Sequence, residues 1–377
     1  MRHVRARFRD RLLLLPLLLV VGALALAACG GGTEATPATT EEAPAATTEE
    51  APAATEEAAA TTDATETTEA PAEPATLTVA LDWFPNPDHV ALYYAQDNGM
   101  YEARNLTVEF KVPSDPTAGL KLVATNKFDL SIFYESEMFN AAQEGLPVIA
   151  VGALIPTPLN SMISLADSKV QGPADIKGAT IGNAGLPFDE AIIKTMTEDQ
   201  GLTLDDVKSI NVGYDLVPAL LSKKVDAVIG AYFNIEGVHI EAETGQAPTV
   251  TKLTDLGVPT YDELLVVANP ERLQSDPAYA DAVKRFLAAM IEGTEAAQAD
   301  EAGAIASMEA NTEYKPEEIQ GMVPDTLPLL TSPAGLPTGC LDLPAWETFG
   351  QWLLDRQIIE SPVDVSTIAT NDYLPGC

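Results

Sequence analysis

Thr76-Leu-Thr-Val-Ala-Leu-Asp-Trp83 is an apolar strand, and it runs without a break into Phe84-Pro85-Asn86-Pro87-Asp88-His89. Two prolines stop the strand and hold the turn in a fixed shape. Asp88 is placed to cap a helix with Ala91, Leu92 and Ala95 on its apolar face and Gly99 near its end. The same rhythm then recurs. Strands are predicted at 106–112, 128–134, 148–155 and 161–166, with helices at 117–127 and 135–144 between them. Further strands at 179–183, 207–212, 226–231 and 264–268 alternate with helices at 188–200, 217–224 and 235–244. An Ala-rich helical stretch at 276–311 and an amphipathic helix at 343–359 follow. Strands alternating with helices argue for α/β architecture with parallel sheets. Two such blocks predict two lobes joined by two crossings. The first lobe begins at 76–166, the second is 167–260, and 261–377 returns to the first and adds the C-terminal helices.

Upstream of this body the chain is built for export. Arg2, Arg5, Arg7, Arg9 and Arg11 precede an uncharged run from Leu12 to Leu26, which closes on Ala27-Ala28-Cys29-Gly30. A basic start, an apolar run and small residues at the cut define a secretory signal, residues 1–28. The cysteine after the small pair resembles a bacterial lipobox, which implies that Cys29 takes a diacylglycerol and becomes the first residue of a lipid-anchored chain. The apolar run is shorter than the ~20 residues that a membrane span needs. Residues 29–75 are almost wholly Thr, Glu, Ala and Pro, and lack the apolar surface to offset the entropy of ordering. They read as an extended, disordered tether. The expected location is the extracytoplasmic face of the cell membrane.

Charge and cysteines narrow the class. The whole chain carries a net charge of −35. Without the signal it has 16 bases against 55 acids, and the body from Thr76 onward carries −28. Such a surface repels nucleic acid and anionic headgroups. Beyond Cys29 only Cys340 and Cys377 remain, and an exported pair reads by default as a disulfide. His89 and His239 are too few for a His/Cys metal cluster, so no metal is expected.

Ligands of open α/β sheets bind beyond the carboxyl ends of the strands, and four such ends hold unusual residues. They are Asp82-Trp83 with Asn86, Asp88 and His89; Tyr134-Glu135-Ser136-Glu137; Asn183 with Phe188-Asp189-Glu190; and Tyr232-Phe233-Asn234 with Glu236. Asn160, at the head of the strand predicted at 161–166, joins them. The candidate ligand-binding set is therefore Asp82, Trp83, Asn86, His89, Tyr134, Glu135, Asn160, Asn183, Phe188, Asp189, Tyr232, Asn234 and Glu236. Rings for stacking, amides for paired hydrogen bonds and a few acids suit a flat heteroaromatic solute. No Walker loop, Gly-x-Ser-x-Gly or His-Glu-x-x-His is present. No catalytic residue or cofactor is expected. The rival from another class is an exported hydrolase using Glu135 or Glu236.

Leu81 to His89, followed by Tyr94-Ala-Gln96 and Gly99-Met-Tyr101, resembles the thiamine-pyrimidine-synthase-like branch of type II periplasmic binding proteins. Lys177-Gly-Ala-Thr-Ile-Gly182 and Val225-Asp-Ala-Val-Ile-Gly230 are similar to the same branch, and the likeness covers Thr76 to about Ala310. The resemblance implies a two-lobed, monomeric binding protein of an ABC importer that closes over a small molecule and hands it to a membrane permease. Relatives in the branch bind riboflavin or formylaminopyrimidine. Pyrimidine binders carry an extra tryptophan near the segment that here holds Phe233, and the smaller ring favours riboflavin, with formylaminopyrimidine as the alternative. Fungal synthases of the branch bear pyridoxal phosphate on a lysine where this chain has Phe133, which argues against an enzyme.

Overall fold

The computed structural model describes residues 73–377, and the signal, Cys29 and the tether up to residue 72 lie outside the described residues. The first block runs β1 (Ala75–Ala80), α1 (Val90–Asp97), β2 (Leu106–Lys111), α2 (Gly119–Ala124), β3 (Leu130–Phe133), α3 (Glu135–Gln143) and β4 (Ile149–Ile155). The second runs β5 (Asn160–Ser164), β6 (Thr180–Asn183), α4 (Pro187–Asp199), β7 (Lys208–Asn211), α5 (Leu216–Leu221), β8 (Ala227–Tyr232), α6 (Glu236–Thr244) and β9 (Thr249–Lys252). The chain then returns as β10 (Leu264–Ala268) and ends in α7 (Pro270–Ser275), α8 (Pro277–Ala299), α9 (Glu301–Asn311), α10 (Pro316–Thr326) and α11 (Leu343–Asp355).

These strands form two five-stranded sheets, ordered β2-β1-β3-β10-β4 and β7-β6-β8-β5-β9. Each sheet has a parallel core (β2-β1-β3 and β7-β6-β8) and one strand that arrives over a crossing and runs antiparallel. β10 enters the first sheet that way, and β5 the second. The first crossing therefore falls at 156–159, ahead of the boundary expected at residue 166. The strand at Asn160–Ser164 pairs with β8 and β9, and its apolar pattern alone does not say which sheet it joins.

Several expectations change at the level of single caps. Asn86, not Asp88, is the cap: its side chain accepts from the Asp88 N–H at 2.8 Å, and Pro87–His89 forms a 3-10 turn that feeds α1. The helical stretch at 276–311 is two helices, because Asp300 breaks it and its carboxylate accepts from the Gly303 N–H at 3.1 Å to start α9. The edge strand β9 and helix α10 are absent from the sequence reading.

Helix α8 lies directly on α1. Gly293 allows this approach: a Cβ there would sit 2.4 Å from the Ala91 carbonyl oxygen and 2.8 Å from the Ala95 Cβ. The C-terminal tail covers the open edge of β4, where the Ala150 N–H donates to the Ile368 carbonyl and the Ala153 N–H to that of Gly339. Cys340 and Cys377 are bonded, with Cα atoms 5.9 Å apart, so the tail that closes this edge is itself a closed loop.

Candidate ligand-binding site

The carboxyl ends of β1, β3, β6 and β8 converge between the two sheets. There a cleft is lined by Trp83, Tyr134, Ser136, Asn160, Ala184, Leu186, Phe188, Asp189, Gly230, Tyr232 and Glu263. The cavity there is about 20 Å³, room for about one water. An open groove of about 490 Å³ lies elsewhere, along Phe84, His239, Tyr314 and Glu318. The cleft is the stronger candidate because it sits at the strand ends and holds an unpaired buried polar atom.

That atom is Asp189 Oδ1, which is buried with no hydrogen-bond partner among the described residues. The other oxygen accepts from the Ala184 N–H at 3.3 Å, at the start of α4. Gly230 faces this carboxyl with a φ of +88°, and a Cβ there would lie 2.9 Å from Asp189 Oδ2. Only glycine meets both demands without strain. Burial pushes the Asp189 pKa up to about 7, with nearby Glu137 adding to the rise and the Ala184 N–H and the neighbouring Asn160 side chain opposing it.

Glu263 joins the two crossings. One oxygen accepts from the Leu159 N–H at 2.6 Å, the Asn160 N–H at 2.9 Å and the Tyr261 hydroxyl at 2.9 Å. The other accepts from the Tyr232 hydroxyl at 3.3 Å. Asn160 in turn accepts from the Gly230 N–H at 3.1 Å, so β5, β8 and the return to β10 are locked around the cleft.

Six of the expected residues line the cleft: Trp83, Tyr134, Asn160, Phe188, Asp189 and Tyr232. The structure places the other seven away from it, each bonded in its own surroundings, although Glu135 Oε1 and Asn234 Oδ1 are, like Asp189 Oδ1, buried without a partner among the described residues. Asp82 lies behind the wall and accepts from His89 Nε2 at 2.8 Å and from the Tyr134 hydroxyl at 3.2 Å. The His89 Nδ1 accepts from the Asn86 N–H at 3.3 Å, which puts the ring proton on Nε2, toward Asp82. Asn86 caps the turn. Glu135 accepts from the Asp262 N–H at 2.7 Å, and Glu236 from the Tyr232 N–H at 2.7 Å. Asn183 bonds Ser209 and the Gly185 N–H, holding the loop ahead of Phe188. Asn234 donates to Asp88 at 2.7 Å and to Thr326 at 2.9 Å. Short polar side chains at strand ends serve caps as readily as ligands.

Ser136, Ala184 and Leu186 stand at the expected strand ends but outside the candidate set, and Gly230 and Glu263 line the cleft from places it does not cover. Glu263 had a faint signal, as an acid directly before an all-apolar strand. Phe233 does not line the cleft either, since the Lys252 Nζ lies 3.6 Å from its ring centroid. Acids dominate the surroundings. Burial also pushes the pKa of Asp262 and of Glu236 to about 7, and Glu135, Glu137 and Glu263 are raised by the same cause. Among the described residues no lysine or arginine lines the cleft, so a neutral or proton-donating solute fits it better than an anion.

Residues 86–304 match the model of the NMT1/THI5-like family. The chain belongs to this family. Among its relatives, a Haemophilus influenzae protein named for thiamine biosynthesis is 37% identical over 261 residues, which cover 68% of this chain and 80% of that one. The formylaminopyrimidine-binding protein of Halalkalibacterium halodurans is 32% identical over 76% of this chain and 87% of its own length. Proteins named 4-amino-5-hydroxymethyl-2-methylpyrimidine phosphate synthase, from Legionella pneumophila and from fungi, stand further off at 25% to 27% identity. The alkanesulfonate-binding protein SsuA of Xanthomonas axonopodis pv. citri, solved with MOPS, superimposes with a TM-score of 0.60 at 14% identity, over 79% of this chain and 99% of that one. The NMT1/THI5-like chain thus has the fold of a periplasmic solute-binding protein, two α/β lobes with a cleft between them.

Proposed function

We propose that this protein captures an aminopyrimidine of the formylaminopyrimidine class and delivers it to an ABC permease, held outside the cytoplasm by lipid on Cys29. The unpaired oxygen of Asp189 carries the reading. A carboxyl group that keeps its proton donates one hydrogen bond and accepts another. An aminopyrimidine offers the matching edge, a ring nitrogen that accepts beside an amino group that donates. Trp83, Tyr134, Phe188 and Tyr232 supply faces for the ring. The name of the Halalkalibacterium halodurans relative supports the same solute class.

The size of Phe233, on which the expectation of riboflavin rests, does not bear on the cleft. That ring packs under Lys252, outside the cleft, so its size sets no limit on the ligand. Turnover has less support than binding. Glu135 and Glu236 accept backbone N–H groups away from the cleft. Phe133, at the position where the resemblance to the fungal synthases implies a pyridoxal-phosphate lysine, is buried beside Tyr134 at 4.8 Å between ring centroids and offers no amine.

Calorimetric titration with formylaminopyrimidine, run beside riboflavin, tests the proposal. Saturable one-to-one binding of the pyrimidine, lost in Asp189→Ala and with ligand recovered unchanged, is the expected result. Binding of riboflavin alone, or pyrimidine binding indifferent to Asp189→Ala, would overturn it.

A further inference from the structure

Tyr214 belongs to the second lobe, in the turn that follows β7, yet its side chain reaches across to the first. Its hydroxyl donates to the Pro113 carbonyl at 3.1 Å, in the loop after β2. Its ring meets Trp83 edge-on, with centroids 4.6 Å apart and planes at 71°, and meets Phe84 at 4.9 Å. The turn that presents it is shaped for the purpose. Asn211 accepts from the Gly213 N–H at 2.9 Å, and Gly213 takes a φ of +56°, which sets the next residue facing across the gap.

Trp83 is the other half of the contact. It lines the cleft and also packs against the apolar cluster of the second lobe that includes Ile163, Leu216 and Val228. The indole is therefore a wall of the cleft whose orientation depends on which lobe-2 groups lie beside it. Two other bridges between the lobes are buried deeper: the Phe188 N–H donates to Glu137 at 3.0 Å, and Asn234 donates to Asp88, while the ion pairs Arg356–Asp199 and Lys315–Glu243 span them at the surface. Tyr214 is half-buried, so water reaches its contact before those two buried bridges, and parting of the lobes must break it.

We propose that Tyr214 is a closing latch and a positioning residue: its hydroxyl ties the lobes across the mouth of the cleft, and its ring fixes the plane in which Trp83 meets the bound solute. The inference rests on the binding reading above, and it predicts a split in kinetics. Entry occurs with the latch open, so the association rate stays within about twofold. Dissociation requires the latch to break. Removing only the hydroxyl forfeits one neutral hydrogen bond and speeds dissociation by about fivefold. Removing the ring as well speeds it by about 30-fold or more.

The test is stopped-flow tryptophan fluorescence of the purified protein with formylaminopyrimidine, comparing parent, Tyr214→Phe and Tyr214→Ala. Graded acceleration of dissociation with near-constant association is expected. Equal dissociation rates in all three, or a loss confined to association, would overturn the latch. Should the parent bind no pyrimidine, the function proposed above fails, and small-angle scattering of the unliganded proteins decides the latch alone. A larger radius of gyration in Tyr214→Ala supports it, and an unchanged radius overturns it. Tyr214→Phe keeps the ring packed and guards against a variant that merely misfolds.

Discussion

At Asp189 one carboxyl oxygen is held by a backbone N–H and the other faces the cleft unpaired, and burial places its pKa near 7. The proton decides what this group can recognise. Below about pH 7 the neutral acid matches the donor–acceptor edge of an aminopyrimidine; above it, the carboxylate only accepts and leaves the ring nitrogen without a donor. Affinity should therefore fall about tenfold per pH unit above pH 7. An amide side chain at this position offers the same donor–acceptor pair as the protonated acid, so Asp189→Asn should bind at neutral pH and lose the pH dependence. Titrations across pH check this, and a parent whose affinity rises with pH would exclude the role. Asp189 was legible as an acid at a helix start beyond a strand end. That its neighbour within the second lobe must be Gly230 was not, because the close approach joins residues 41 positions apart that share no local pattern.

Elements add constraints that no single side chain shows. Helix α1 buries the run Val90–Ala95. It is held between β1, through the Asn86 cap and the Asp82–His89 bond, and α8, through the gap at Gly293. Gly293→Ala forces a methyl into the Ala91 carbonyl, and the helices must part. Destabilisation by about 1–3 kcal/mol is expected, read as a lower urea midpoint at unchanged slope. A neutral effect would mean that α8 can shift without cost. The Ala-rich composition of 276–311 predicted helix correctly, because helical propensity is local. The break at Asp300 is a cap, and short polar residues inside helical sequence signal caps only weakly. Strand β5 shows the other limit: its residues specify extended backbone, whereas its sheet is chosen by which neighbours need a partner.

Across the whole molecule the acids balance against each other through burial. Asp189, Glu236 and Asp262 all have folded pKa values near 7, raised from the ordinary carboxylate range. A raised folded value means that each contributes stability that is full below about pH 4 and lost as the pH climbs through 7. Exposed acids such as Asp115 and Asp206 are lowered by hydrogen bonds and lose their contribution only at the acid end. The melting temperature should then be higher at about pH 6 than at about pH 8, and scanning calorimetry that found the reverse order would contradict this balance. The sequence by itself determined the alternation of strands and helices, the two-lobe plan and the ring-bearing strand ends, because apolar periodicity and caps are written within a few residues. The tertiary structure alone decided where the lobes cross, that Asn86, His89 and Asn234 serve the scaffold, and that Glu263, Gly230 and Tyr214 meet Asp189 and Trp83 around one cleft. Those depend on contacts between segments far apart in the chain, and a side chain's partner across such a distance is set by packing, not by its neighbours in sequence.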